Sequence, residues 1–325
     1  MQRAILKSAH ITTDKTLLQA KRILTMSVGV CLLFFTSCGK AEKKSEDQPI
    51  DTAKVEEETD KNVAPIDSND PKNTTEKTDN ISSITPVVLF LGGYTSCPRN
   101  AEGNEDPRTM DLISMFDGAK AGVADISGLN ETRYLLSCYG FDPESISYVL
   151  SSEPDKVRFK KVADMEADFA MLIKDLPNPV IFVTGHSYGA YTALKLISGA
   201  AKETTFAGLV TLDAISKVGC TPANALPAIL GGTPVPKECL EAPADINTEE
   251  QKLILSKSPT WLNYYQTDSI ILHSSEFASA QNFKMHYEGT GINPHMEVLY
   301  DEAVENSVVD LIVSKTKAAA EQTAD

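Results

Sequence analysis

The chain has 325 residues, and its 45 Asp plus Glu outnumber 30 Lys plus Arg, for a formal charge of −15 and a pI of about 4.8. Affinity for phosphate backbones comes from clustered Lys and Arg; no such cluster stands here, which speaks against a nucleic-acid partner. The hydrophobic fraction of 42% is pulled down by the first 85 residues, and the remainder is rich enough in Val, Ile, Leu, Phe and Tyr to bury one large core.

Near the start, Lys21-Arg22 precedes an apolar run over residues 23–35. About 20 apolar residues are needed to span a bilayer as a helix, so this run reads as the core of a secretory signal. Phe35-Thr36-Ser37-Cys38-Gly39 follows and resembles a bacterial lipobox, with Phe35 where Leu is usual. The resemblance implies that residues 1–37 are a lipoprotein signal with an N-terminal extension. It also implies that Cys38 becomes the lipidated N-terminus, anchoring the protein to a membrane of the cell envelope. Gly39, in place of Asp, points to the outer membrane. Residues 38–85 hold few large apolar side chains, too few to offset the entropy of ordering, and read as a disordered acidic tether.

Beyond the leader and Cys38, four cysteines remain: Cys97, Cys138, Cys220 and Cys239. An even count in an exported protein argues for disulfides. Of the three possible pairings, sequence proximity favours Cys97 with Cys138 and Cys220 with Cys239. No C-x-x-C spacing, P-loop, dinucleotide fingerprint or H-E-x-x-H occurs, so neither a metal nor a cofactor is expected.

The folded domain is expected over residues 86–318, with 319–325 as a tail. Continuous apolar runs read as strands buried on both faces. They lie at residues 87–91, 146–150, 180–184, 209–212 and 261–265, with a last strand near 283–287. Helical patterns lie between them at 110–120, 160–176 and 190–197, and a final one at 301–314. In the second, Val162, Met165, Phe169, Leu172 and Ile173 share one face. This alternation predicts an α/β fold, a mostly parallel central sheet with helices on both faces. Residues 220–258 are too long for a plain connection and read as a cap or lid insertion.

Gly185-His186-Ser187-Tyr188-Gly189 matches G-x-S-x-G where the strand 180–184 turns into the helix 190–197. That context is a nucleophile elbow, whose tight turn excludes side chains at the two glycines. Residues 86–317 thereby resemble the α/β-hydrolase family, lipases and esterases in particular. The resemblance implies the chain order Ser, acid, His, with Ser187 as nucleophile. For the base, His295 in the loop after the last strand is best placed; His286 and His273 are the alternatives. For the acid, Asp213 ends the strand after the elbow, and Asp268 follows the next strand; both stay open. The oxyanion hole is expected from the backbone N–H of Tyr188 and of Tyr94, with Gly93 as the alternative to Tyr94.

The activity implied is hydrolysis of a carboxylic ester, with a small-molecule or lipid ester as partner. The same triad serves thioesterases and acyltransferases. A non-catalytic hydrolase-fold lipoprotein that binds a ligand is the alternative from another class.

Overall fold

A computed structural model describes residues 84–99, 103–140, 142–229 and 233–324. The signal, the lipobox Cys38 and residues 38–83 of the expected tether lie outside the described residues.

The first strand, β1 (Thr85–Leu91), is buried along its whole length. Its pleat explains the layering. Val87, Leu89 and Leu91 face one apolar cluster, Val88 and Phe90 the other. On the first side lie α2 (Val162–Ile173), α3 (Tyr188–Gly199) and α5 (Thr248–Lys257), through Phe169, Leu194 and Ile254 among others. On the second lie α1 (Ile113–Ala124) and the last helix, α7 (Glu302–Ala324), through Met115, Phe116, Val304 and Val308. A strand that must be apolar on both faces reads as a continuous run, and that is why β1 stands out in the sequence.

β2 (Arg133–Cys138), β3 (Ser145–Leu150), β4 (Glu153–Lys161), β5 (Pro179–His186), β6 (Gly208–Leu212), β7 (Trp261–Gln266) and β8 (Gln281–Met285) complete one sheet. The order is β4-β3-β2-β1-β5-β6-β7-β8. All neighbours from β2 to β8 are parallel, and β3 pairs antiparallel with both β2 and β4. The mostly parallel α/β architecture with helices on both faces is therefore the one this chain adopts.

Several expected elements shift. β4 is polar and mostly exposed at the sheet edge, so it carries no apolar signal, and only its ladder with β3 makes it a strand. β4 also occupies residues 160–161, where a helix was expected to begin. β2 is a strand the apolar pattern does not single out. The last helix runs on to Ala324 because Lys, Ala, Glu and Gln in 315–324 are good helix formers; the expected tail at 319 is helical.

The stretch 220–258 is not one lid. α4 (Pro222–Ile229) opens it, but α5 closes it as a layer helix on α3. Glu250 there accepts from Ser198 Oγ at 2.7 Å and Lys195 Nζ at 3.0 Å, and Lys257 Nζ donates to the Ser198 and Ala200 carbonyls at the end of α3. Among the described residues no helix is long and apolar enough to cross a membrane.

Two disulfides join Cys97 to Cys138 and Cys220 to Cys239, with Cα–Cα distances of 5.2 and 4.9 Å. The first bridges a sequence separation of 41 residues. Loop-closure entropy then puts its contribution at about 4 kcal/mol. Replacing both Cys97 and Cys138 by Ser should lower the unfolding free energy by about that amount in urea titrations; a loss below about 1 kcal/mol would contradict this account.

Candidate active site

Ser187 sits between β5 and α3 with φ 55° and ψ −123°, a conformation that costs a non-glycine residue about 1–3 kcal/mol. The surroundings enforce it. The Ser187 N–H donates to the Leu212 carbonyl at 3.0 Å, and the Ser187 carbonyl accepts from Tyr191 N at 3.2 Å and Ile215 N at 3.3 Å. The glycines are there for space. A Cβ on Gly185 would lie 2.5 Å from the Gly189 carbonyl oxygen, and one on Gly189 would strike the Leu91 carbonyl.

Asp213 follows β6 directly, at φ 45°, and its N–H donates to the Tyr264 carbonyl at 2.7 Å. Its carboxylate is fully buried. Oδ2 lies 2.6 Å from His295 Nδ1, across 82 residues of sequence, and also 2.6 Å from Gln266 Nε2. Oδ1 accepts from the Ser274 N–H at 2.8 Å and the Gln266 N–H at 3.3 Å. His295 sits in the short helix α6 (Asn293–Glu297) and is 2% exposed; Ser187 is 6% exposed. A carboxylate only accepts, so Nδ1 of His295 carries the proton and Nε2 is left as the basic nitrogen.

The competing candidates are placed elsewhere. Asp268 accepts from the Tyr287 N–H at 2.7 Å and stands 3.7 Å from His286 Nδ1, whose side chain is largely exposed. His273 Nδ1 lies 3.2 Å from the Ser274 carbonyl, and its own N–H donates to the Cys239 carbonyl. Of the two acids and three histidines, Asp213 and His295 form the buried, hydrogen-bonded pair, while Asp268 and His286 make a longer contact at the surface.

The loop after β1 is pressed against the elbow. A Cβ on Gly93 would lie 2.7 Å from Ser187 Cβ and 3.2 Å from its Oγ. The Gly93 carbonyl turns the other way, accepting from Ser96 Oγ at 2.7 Å and Tyr139 N at 3.3 Å. The Tyr94 ring packs 5.7 Å from the Tyr188 ring, and the Tyr188 hydroxyl donates to the Cys220 carbonyl. Burial pushes the Tyr188 phenol well above its ordinary value, as it does the phenol of Tyr139. Tyr188 opens α3, where backbone N–H groups have no intrahelical acceptor and the helix dipole favours negative charge. Among the described residues no cluster of three or more His, Cys, Asp or Glu is placed to hold a metal ion.

Three contributors escape a reading of motifs. Gln266 ends β7 and reaches Asp213 with both its backbone and side-chain N–H; its Oε1 accepts from the Asp268 and Ser269 N–H groups at 2.8 Å. A polar residue closing a strand rich in aromatics was its one sequence signal. The Ser274 N–H gave none, being backbone. His186, the variable residue of the motif, puts its ring 4.6 Å from that of His295.

No family model matches the chain, and no curated protein matches it in sequence. Among solved structures it is similar to an esterase/lipase from an uncultured bacterium, at 11% identity over 74% of this chain and 77% of that one, with a TM-score of 0.33. It is also similar to a monoacylglycerol lipase from Paleococcus ferrophilus (15% identity, 70% and 94% covered, TM-score 0.32). A cutinase-like protein from Cryptococcus sp. is a third (13% identity, 72% and 95% covered, TM-score 0.32).

Replacing Gln266 by Leu strands the acceptors and donors it serves in a buried place. The variant should lose about 2–3 kcal/mol of unfolding free energy; denaturant midpoints equal to those of the original protein would sink this view of Gln266.

His186 adds a pH dependence. Burial, and next the neighbouring His295, hold its pKa well below the ordinary histidine value. The unfolded chain therefore binds the proton first as pH falls, so the stability His186 confers is present above about pH 6.5 and fades below it, by up to about 1.4 kcal/mol per pH unit. Unfolding free energies of the original protein and His186→Gln, compared between pH 7 and 5, should converge as pH drops; a pH-independent gap would refute the assignment.

Proposed function

We propose that this protein is a serine hydrolase that cleaves carboxylic esters through an acyl-enzyme, with Ser187 as nucleophile, His295 as base and Asp213 as acid. The observation that carries the reading is the 2.6 Å contact of His295 Nδ1 with the buried Asp213 carboxylate at the end of β6, the strand next to the one that leads into Ser187 at φ 55°. A strained serine and a tethered imidazole are costly unless used.

The chemistry follows from these positions. His295 Nε2 takes the Ser187 proton as Oγ attacks the ester carbonyl carbon. Asp213 holds the imidazole in the tautomer that leaves Nε2 free and stabilises the cation once it forms. The oxyanion is received by the backbone N–H groups of Tyr188 and Tyr94, the first reinforced by the α3 dipole. His295 then protonates the departing alcohol, and a water molecule activated by the same nitrogen hydrolyses the acyl-enzyme. The tight fit of Gly93 against Ser187 supports the oxyanion role of this loop, since it sets the backbone just before Tyr94 against the nucleophile. The enzyme works at the cell envelope, held by the lipid on Cys38, on a small-molecule or lipid ester.

Ser187→Ala and His295→Gln should each cut hydrolysis of p-nitrophenyl esters by about 10⁴-fold or more. A fluorophosphonate probe should label the original protein and not Ser187→Ala. Ester turnover that survives in His295→Gln, or labelling that persists without Ser187, would overturn the reading.

A further inference from the structure

The turn itself does not call for histidine at position 186. Close contacts dictate Gly185 and Gly189, and the chemistry dictates Ser187. His186 lies at the buried end of β5, 2% exposed, where an apolar side chain would fill the space without desolvating an imidazole. Its ring is instead turned onto the histidine loop. Nε2 lies 3.1 Å from the backbone oxygen of His295, and the two rings are 4.6 Å apart with a tilt of 37°. A carbonyl only accepts, so the His186 Nε2–H donates.

The loop that receives this bond is packed through Pro294, Val298 and Leu299, but few polar contacts fix its backbone. α6 is five residues long, and the chain reaches it through Gly289 at φ 139° and Gly291 at φ 65°. The His295 N–H is spent locally on the Ile292 carbonyl. Polar anchors from the body of the domain onto residues 289–297 include the Ser269 Oγ–H to the Gly291 carbonyl at 2.7 Å, Asp213 on His295 Nδ1, and His186 on the His295 carbonyl.

Resting on the serine-hydrolase reading, we infer that His186 is a positioning residue for the catalytic base. Its Nε2–H holds the backbone of His295 while Asp213 holds the ring, so the base is gripped at two points. One of those grips belongs to the residue next to Ser187, so nucleophile and base share a single rigid strand end. A shift of about 1 Å in a catalytic group can cost two orders of magnitude in rate. The variable position of the motif thus sets the distance between the two reacting side chains.

Two variants of the full chain test this. His186→Phe keeps a buried ring and loses the donor; His186→Gln keeps an N–H near the place of Nε2. With p-nitrophenyl butyrate, His186→Phe should lose at least about tenfold in kcat with KM within about twofold, while His186→Gln stays near the original kcat. Hydrogen exchange of the amides in residues 293–299 should quicken in His186→Phe and not in His186→Gln. Circular dichroism spectra of both variants should match that of the original protein. The inference is overturned if His186→Phe keeps its kcat, if the two variants are impaired alike, or if the loss lies in KM. Should the original protein neither hydrolyse esters nor react with a fluorophosphonate, the hydrolase reading fails by itself. Exchange in residues 293–299 then still decides whether His186 anchors this segment, and unchanged protection in His186→Phe would overturn that as well.

Discussion

The Asp213 carboxylate, without solvent contact, accepts from His295 Nδ1, Gln266 Nε2 and the N–H groups of Gln266 and Ser274. Burying a carboxylate is tolerated only where donors replace the water it leaves. Those donors come from three separate places: the end of β7, the segment before Phe277 and the helix α6. None can move without leaving the buried carboxylate short of a donor. The arrangement therefore does more than orient an imidazole, because it ties the β6, β7 and β8 side of the sheet to the loop that follows β8.

Backbone strain is concentrated at the same rim. Ser187 and Asp213 both have positive φ, at 55° and 45°, and each directly follows a strand of the parallel sheet. The parallel ladder between β5 and β6 puts His186 opposite Leu212, so the two strained residues come next to one another. Such conformations persist only where their neighbours over-determine them. Here the Ser187–Leu212 and Ile215–Ser187 backbone bonds, the Asp213–Tyr264 bond and the crowding at Gly185 and Gly189 do so.

The disulfides brace this rim from both sides. Cys138 lies between Ser137, whose carbonyl accepts from Gly92 N, and Tyr139, whose N–H donates to the Gly93 carbonyl, so the bond to Cys97 closes the loop that lies over Ser187. Cys220 takes the Tyr188 hydroxyl on its carbonyl, and Cys239 takes the His273 N–H, one residue before the Ser274 donor to Asp213. Covalent links at these points limit how far the loops can drift when backbone hydrogen bonds fluctuate.

The alternating strands and helices and the elbow at Gly185–Gly189 were legible along the chain, because they rest on local causes: apolar runs where both faces of a strand are covered, and glycines where no Cβ fits. The polar edge strand β4 was not, since pairing with β3 and not composition makes it a strand. Asp213 and Asp268 looked alike as acidic residues after successive strands, and three histidines looked available. What separated them was which loop crosses back to which strand end: α6 brings His295 to Asp213, while Asp268 lies beside the exposed His286. Gln266 and the Ser274 N–H carry no motif, because a hydrogen bond between groups some sixty residues apart depends on the packed sheet and leaves no local pattern. Local sterics and hydrophobic periodicity are written into the chain, and long-range polar pairing is decided only once the layers have closed.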